Sequence, residues 1–113
     1  MSPLLDAVLI RVFICETAKI EGKPVYELIV QKARELNLAG ATVLRGILGF
    51  GAHSRIHTAK LLTLSEDLPL VVEIVDTEEN INRLLPFLDN TIKEGLITLE
   101  NIKMIRYRKE HDR

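Results

Sequence analysis

Apolar positions alternate through Leu5–Glu16. Val8, Ile10, Val12 and Ile14 fall on one side, and Leu9, Arg11, Phe13 and Cys15 on the other. This is the period of two that a β-strand gives to its faces. A polar turn, TAKIEGK, follows with Gly22. Pro24 suits the first turn of a helix, where a missing N–H does no harm. Val25, Leu28, Ile29, Ala33 and Leu36 then recur at helical spacing, with Glu27, Lys32, Arg34 and Glu35 on the wet side. Asn37 and Gly40 supply the stop. A second strand is predicted over 41–50, a long polar loop over 51–67, and a third, β-branched strand in LPLVVEIVD.

Asp76 or Thr77 can cap the next helix, with Glu78 and Glu79 at its positive end. Ile81, Leu84, Leu85, Leu88 and Ile92 form its buried stripe. Pro86 interrupts that stripe. In a helix interior it removes a hydrogen bond at a cost of roughly 3 kcal/mol. A kink near Asn82–Pro86, or a helix shorter than its stripe, is therefore expected. Gly95 ends the segment. LITLENIKMIRY reads as a fourth strand with a bulge near Glu100 and Asn101, and 108–113 as a frayed tail.

The order strand, helix, strand, strand, helix, strand predicts an α+β fold over 1–113. It is a ferredoxin-like βαββαβ sandwich: an antiparallel four-stranded sheet with two helices on one face. The other face should be polar in a monomer. Yet one face is expected to take Val8, Ile10, Val12, Leu44, Leu48, Leu70, Val72 and Ile74. The opposite face takes Leu9, Arg11, Phe13, Val43, Arg45, Ile47, Val71, Glu73 and Val75, joined by Lys103, Ile105 and Tyr107. Both are substantially apolar, which predicts an association surface and a homo-oligomer built sheet to sheet. Arg11, Arg45, Glu73 and Lys103 would lie in the oligomer interior. Arg11, Glu73 and Arg45 form a cross-sheet ion network there, as burial would demand.

Composition narrows the function. Apolar residues make up 47% of the 113 residues and charged residues 27%, as in a folded globule. A net charge of -1 argues against a general nucleic-acid binder. The single cysteine, Cys15, excludes an intramolecular disulfide and a multi-cysteine zinc site, and reads as a small core residue. The apolar stretch Ala7–Cys15 is interrupted by Arg11 and too short to span a bilayer, and no cleavable leader pattern precedes it. A cytoplasmic location without membrane insertion is expected.

Chemistry concentrates in LRGILGFGAHSRIHTAKLL. Glycine weakens a strand, so Gly46, Gly49 and Gly51 ask for another explanation. Bare backbone N–H groups around Phe50 can approach an anion closely. Arg55 can hold a phosphate bidentately, with His53, Ser54 and His57 as further donors. A bulge followed by an ordinary solvated loop is the plainer reading. A third reading is metal: His53 and His57, four apart, would share a helical face, with Glu66 or Asp67 completing the set. Glu73 suits ion pairing better than acid–base work, Glu78 and Glu79 suit a helix start, and Ser54 and Ser65 lack a nucleophile elbow. No enzyme is expected.

The run GATVLRGILGFGAHSRIHTAKLLTLSEDLPLVVEIVD resembles the PII-like proteins. So do GKPVYELIVQKARELNLAG before it and INRLLPFLDNTIKEGLITLENI after it. More narrowly, they resemble an uncharacterised bacterial and archaeal branch of that superfamily, over about Ala7–Tyr107. The resemblance implies a compact homotrimer with its sheets facing inward and a signalling role. It also implies an adenine nucleotide (ATP, ADP or AMP, with or without magnesium) in each intersubunit cleft. The long loop would regulate a protein partner such as a transporter, channel or enzyme. The alternative is a metal-binding or metal-responsive trimer using the loop histidines. Two departures from the nitrogen-regulatory members stand out. The last helix–strand connection reads NTIKEGLI, without a Gly-Lys pair, and 51–67 contains no tyrosine.

Overall fold

The computed structural model describes residues 2–51 and 68–108, together with the backbone of 57–58. In chain order the elements are β1 (Leu4–Cys15), β2 (Lys19–Ile20), β3 (Lys23–Pro24), α1 (Val25–Glu35) and β4 (Gly40–Arg45). They continue with β5 (Leu48–Gly49), β6 (His57–Thr58), β7 (Pro69–Asp76), α2 (Glu78–Thr91) and β8 (Leu96–Ile105). β4, β7, β1 and β8 lie side by side in that order, every neighbouring pair antiparallel. This is the ferredoxin-like sandwich that the element order predicts.

The core forms where the alternation of β1 and β7 meets the two helical stripes. Ile10, Val12, Val72 and Ile74 are buried against Ile29 and Ala33 of α1 and Ile81, Leu84 and Leu88 of α2. Each such aliphatic side chain contributes about 1.5–3 kcal/mol on full burial. The segment between β1 and α1, expected as a turn, is a small hairpin of β2 and β3. Glu21 and Gly22 close it, both with positive φ. Pro24 precedes the helix as its N-cap residue rather than standing inside its first turn.

Asp76 fastens the two helical segments. Its buried carboxylate accepts the Thr77 backbone N–H at 2.6 Å, the Ala39 backbone N–H at 2.8 Å and the Asn80 side-chain amide at 3.0 Å. Burial pushes this carboxyl upward, but the hydrogen bonds from Asn80, Thr77 and Ala39 outweigh it. The net direction is below the usual aspartate value. Thr77 is the N-cap of α2, its hydroxyl accepting the Asn80 backbone N–H.

Several expectations are corrected. α2 continues through Pro86 to Thr91, so the proline does not shorten it. Pro86 and Asn82, whose carbonyl loses its partner, both lie on the exposed side, where water can replace the missing bond. β8 carries no bulge: its register against β1 is unbroken from Leu4↔Ile105 to Phe13↔Leu96. The second strand does not run on to Phe50 but breaks after Arg45.

The face assignments of β4 and β8 also change. Val43 pairs with Val72 and Ala41 with Ile74, which turns Ala41 and Val43 toward the helices and Leu44 to the opposite, open face. Arg45 pairs with Leu70, so it lies on the helix side and takes no part in a network with Arg11. Its guanidinium instead pairs with Glu16. Lys103 and Ile105 likewise share the parity of Ile97, which packs on the core, and Lys103 pairs with Asp6. Tyr107 lies beyond the end of β8.

Candidate functional site

At one end of the sheet, β4 reaches Arg45 beside the start of β7, and the chain leaves the sheet. Gly46 donates its N–H to the Pro69 carbonyl at 2.7 Å. Leu48 and Gly49 then pair with Thr58 and His57, so the long connection opens as a narrow two-stranded ribbon. A Cβ on Gly46 would lie 2.9 Å from Pro69 Cγ, and one on Gly49 3.2 Å from the same atom. Close packing on Pro69 therefore accounts for two of the three glycines. Gly51 stands clear of any neighbour. Ile47 and Phe50 are 76% and 70% exposed, an unusual degree for large apolar side chains at the root of a ribbon.

Of the residues singled out as an anion cradle, Gly46, Gly49, Phe50 and Gly51 come together here. His53, Ser54 and Arg55 lie outside the described residues, as does the side chain of His57. The His57 backbone begins the two-residue strand β6, and the spacing of the His53–His57 pair lies outside the described residues. Among the described residues, no three His, Cys, Asp or Glu side chains gather into a metal-binding group. A cavity of about 130 Å³ opens nearby, between the end of β1, the β2–β3 hairpin and the end of α2. Ile14, Ile20, Val25 and Ile92 form its apolar wall, and Lys19 and Lys93 also line it.

The open face of the sheet is organised in cross-strand rows. One row runs Leu44, Val71, Phe13, Leu96 from edge to edge, and three of these four are markedly exposed. The next runs Thr42, Glu73, Arg11, Thr98. Arg11 donates Nε–H to Glu73 at 2.9 Å and pairs through its terminal nitrogen with Glu100 on the following row. These hydrogen bonds, Glu73 first and Glu100 second, raise the guanidinium above its ordinary range. Two predicted interior charges, Arg11 and Glu73, are thus joined, whereas Arg45 and Lys103 are not part of the cluster. Sequence reading missed Glu100 as the third member. Its signal was a carboxylate at the same strand parity as Leu96 and Thr98.

Residues 7–104 match the family DUF190, described as an "Uncharacterized ACR". A UPF0166 protein of Aquifex aeolicus is 44% identical over 97 residues, covering 86% of this chain and 91% of that protein. One from Methanocaldococcus jannaschii is 37% identical over 97 residues, covering 85% and 89%. Among solved structures, the fold is similar to that of CPII, a nitrogen regulatory PII-like protein from Thiomonas intermedia bound to ADP, AMP and bicarbonate. The TM-score is 0.66 at 18% identity, over 94% of both chains. A putative PII-like signaling protein from Thermus thermophilus gives a TM-score of 0.65 at 15% identity, over 90% of this chain and 92% of that one. No described helix is long and apolar enough to cross a membrane. With a PII-like fold and close sequence relatives in two organisms, the chain belongs to the DUF190 (UPF0166) family.

Proposed function

We propose that this protein is a homotrimeric PII-like regulator without catalytic activity of its own. It binds an adenine nucleotide in clefts between subunits and acts on a protein partner through the loop 51–67. The open sheet face carries the reading: an apolar row spans it from edge to edge, and its central cation, Arg11, is already paired with Glu73 and Glu100. Such a face favours cover by another apolar surface. The root of the loop, at Gly46–Gly51, stands at the sheet's β4 edge, where a neighbouring copy would supply the other wall of a cleft. The similarity in fold to CPII, which is bound to ADP and AMP, supports an adenine nucleotide as the ligand. His53, Ser54, Arg55 and His57 are the side chains proposed to reach it, over a backbone cradle at Gly46, Gly49, Phe50 and Gly51.

Titration calorimetry with ATP, ADP and AMP, with and without magnesium, tests the nucleotide assignment. Saturable heat with at least one of them is expected, and Arg55→Ala should reduce the affinity about tenfold or more. No heat at near-millimolar concentration would defeat it.

A further inference from the structure

The chain leaves the sheet after Arg45 and rejoins it at Leu68 and Pro69, and one residue outside that connection holds both points. Glu16 is the first residue beyond β1. Its backbone N–H donates to the Leu68 carbonyl at 2.9 Å, one step past the Cys15↔Pro69 pair of the ladder. Its carboxylate pairs with the Arg45 guanidinium. We infer that Glu16 is a positioning residue for the candidate nucleotide site: it touches no ligand and acts through Arg45 to fix the backbone at Gly46–Gly51. The inference rests on the proposed nucleotide binding and adds the residue that holds the site in place.

The register explains how two residues on non-adjacent strands meet. Arg45 pairs with Leu70, and Leu70 with Ile14, so Arg45 and Ile14 stand level on the helix side. Glu16 lies two residues beyond Ile14 and shares that side. The two side chains therefore join diagonally over the start of β7, bridging strands about 10 Å apart.

Burial gives the pair its direction. The Glu16 side chain is 18% exposed and that of Arg45 57%. An exposed ion pair would contribute little, but a carboxylate so shielded needs a cation beside it. Glu16 is also the better anchored end. The Ala18 N–H donates to the Cys15 carbonyl at 3.2 Å, closing a turn around Glu16, and the Val25 N–H donates to the Ala18 carbonyl at 2.9 Å. Arg45, by contrast, ends β4 at an edge of the sheet. The fixed carboxylate thus sets where the strand ends.

The candidate cradle begins one residue later. Gly46 donates its N–H to the Pro69 carbonyl, so a side-chain tie and a backbone tie stand in succession at the point of exit. A site whose supports are fixed beforehand loses less freedom when a ligand arrives. Loosening Arg45 should therefore weaken binding in a protein that is otherwise folded.

Glu16→Ala tests this, because it keeps the backbone bond to Leu68 and leaves Arg45 able to turn to water. In calorimetry with ATP, ADP and AMP, the variant should bind about three- to tenfold more weakly than wild type, with its urea midpoint little changed. A residue that merely stabilised the fold would move the midpoint and leave the affinity of the folded protein as it was. Arg45→Ala and the double variant complete a cycle, in which the double should bind no more weakly than Arg45→Ala. Additive losses, or an unaltered affinity in Glu16→Ala, would overturn the inference. Hydrogen exchange reads the contact without any ligand. The Gly46 amide should exchange about tenfold faster in Glu16→Ala, with the Ile10 and Val12 amides unchanged. An unchanged Gly46 rate would overturn the inference as well. A wild type that gives no heat with any of the three nucleotides defeats the nucleotide reading and Glu16's role toward it, and the exchange rates then decide the contact alone.

Discussion

Gly46 and Pro69 meet twice: the Gly46 N–H bonds the Pro69 carbonyl, and the Pro69 ring fills the space a Gly46 side chain would need. The contact ties the point where the long loop leaves β4 to the first residue of β7. Gly46→Ala should therefore force the ring aside and cost about 1–3 kcal/mol. Pro69→Ala removes the Cγ that causes the clash, so the double variant should recover a large part of the loss. Urea unfolding of the four proteins in a double-mutant cycle measures this coupling. Equal, additive losses would mean that Gly46 matters for some reason other than Pro69.

Asp76 predicts a pH dependence of defined sign. Its folded pKa lies below the unfolded value, because the hydrogen bonds from Asn80, Thr77 and Ala39 overcome the effect of burial. The folded state therefore holds on to the charged form more strongly than the unfolded chain does. The stabilisation is complete above the ordinary aspartate range and fades as pH falls through the lowered folded value. Asp76→Asn keeps the shape but turns one acceptor into a donor, leaving an N–H unsatisfied, at a cost of about 1–3 kcal/mol at neutral pH. The gap between wild type and variant should narrow on acidification. Denaturant titrations at pH 7 and pH 3, at one protein concentration, would show it.

Pro86 offers a gain of stability. α2 already passes through it, with Asn82 and Pro86 on the wet side. Pro86→Ala restores the backbone bond to the Asn82 carbonyl but gives the unfolded chain more freedom, and these two effects oppose one another. A net stabilisation of about 1 kcal/mol is expected from thermal or urea unfolding. A loss of stability would show that the ring makes a contact worth more than the helix bond.

Most of the architecture was legible because β1, β7 and both helices carry unambiguous periods. β4 was not, because Val43 and Leu44 are adjacent apolar residues and local alternation cannot choose between them. The choice was made by β7, where Val72 is buried and Val43 pairs with it. The glycines were read as a ligand signal because Pro69, the residue they pack against, lies far along the chain, beyond the whole of the long loop. Glu100 and Asn101 suggested a bulge because two polar residues interrupt an apolar run. Tertiary partners explain Glu100, which answers Arg11 across the open face. The loop donors were legible as residue types, but an arrangement such as theirs depends on backbone geometry that residue types alone do not specify.

Arg11 tests whether the open face is covered. It stands between Glu73 and Glu100 at the middle of that face, with Phe13 and Val71 on the adjoining row. On a solvated face, losing one arginine leaves two hydrated carboxylates and changes little. Within an interface the same change strands two like charges away from water, and association suffers heavily. Arg11→Met should thus weaken self-association by more than about tenfold while the isolated chain still folds. Adding Glu73→Gln and Glu100→Gln removes the stranded charges and should restore much of the assembly, because neutral amides cost far less to bury. Sedimentation over a concentration series, with circular dichroism to confirm folding, follows both effects. If Arg11→Met sediments as wild type does, the open face is not the surface on which copies meet.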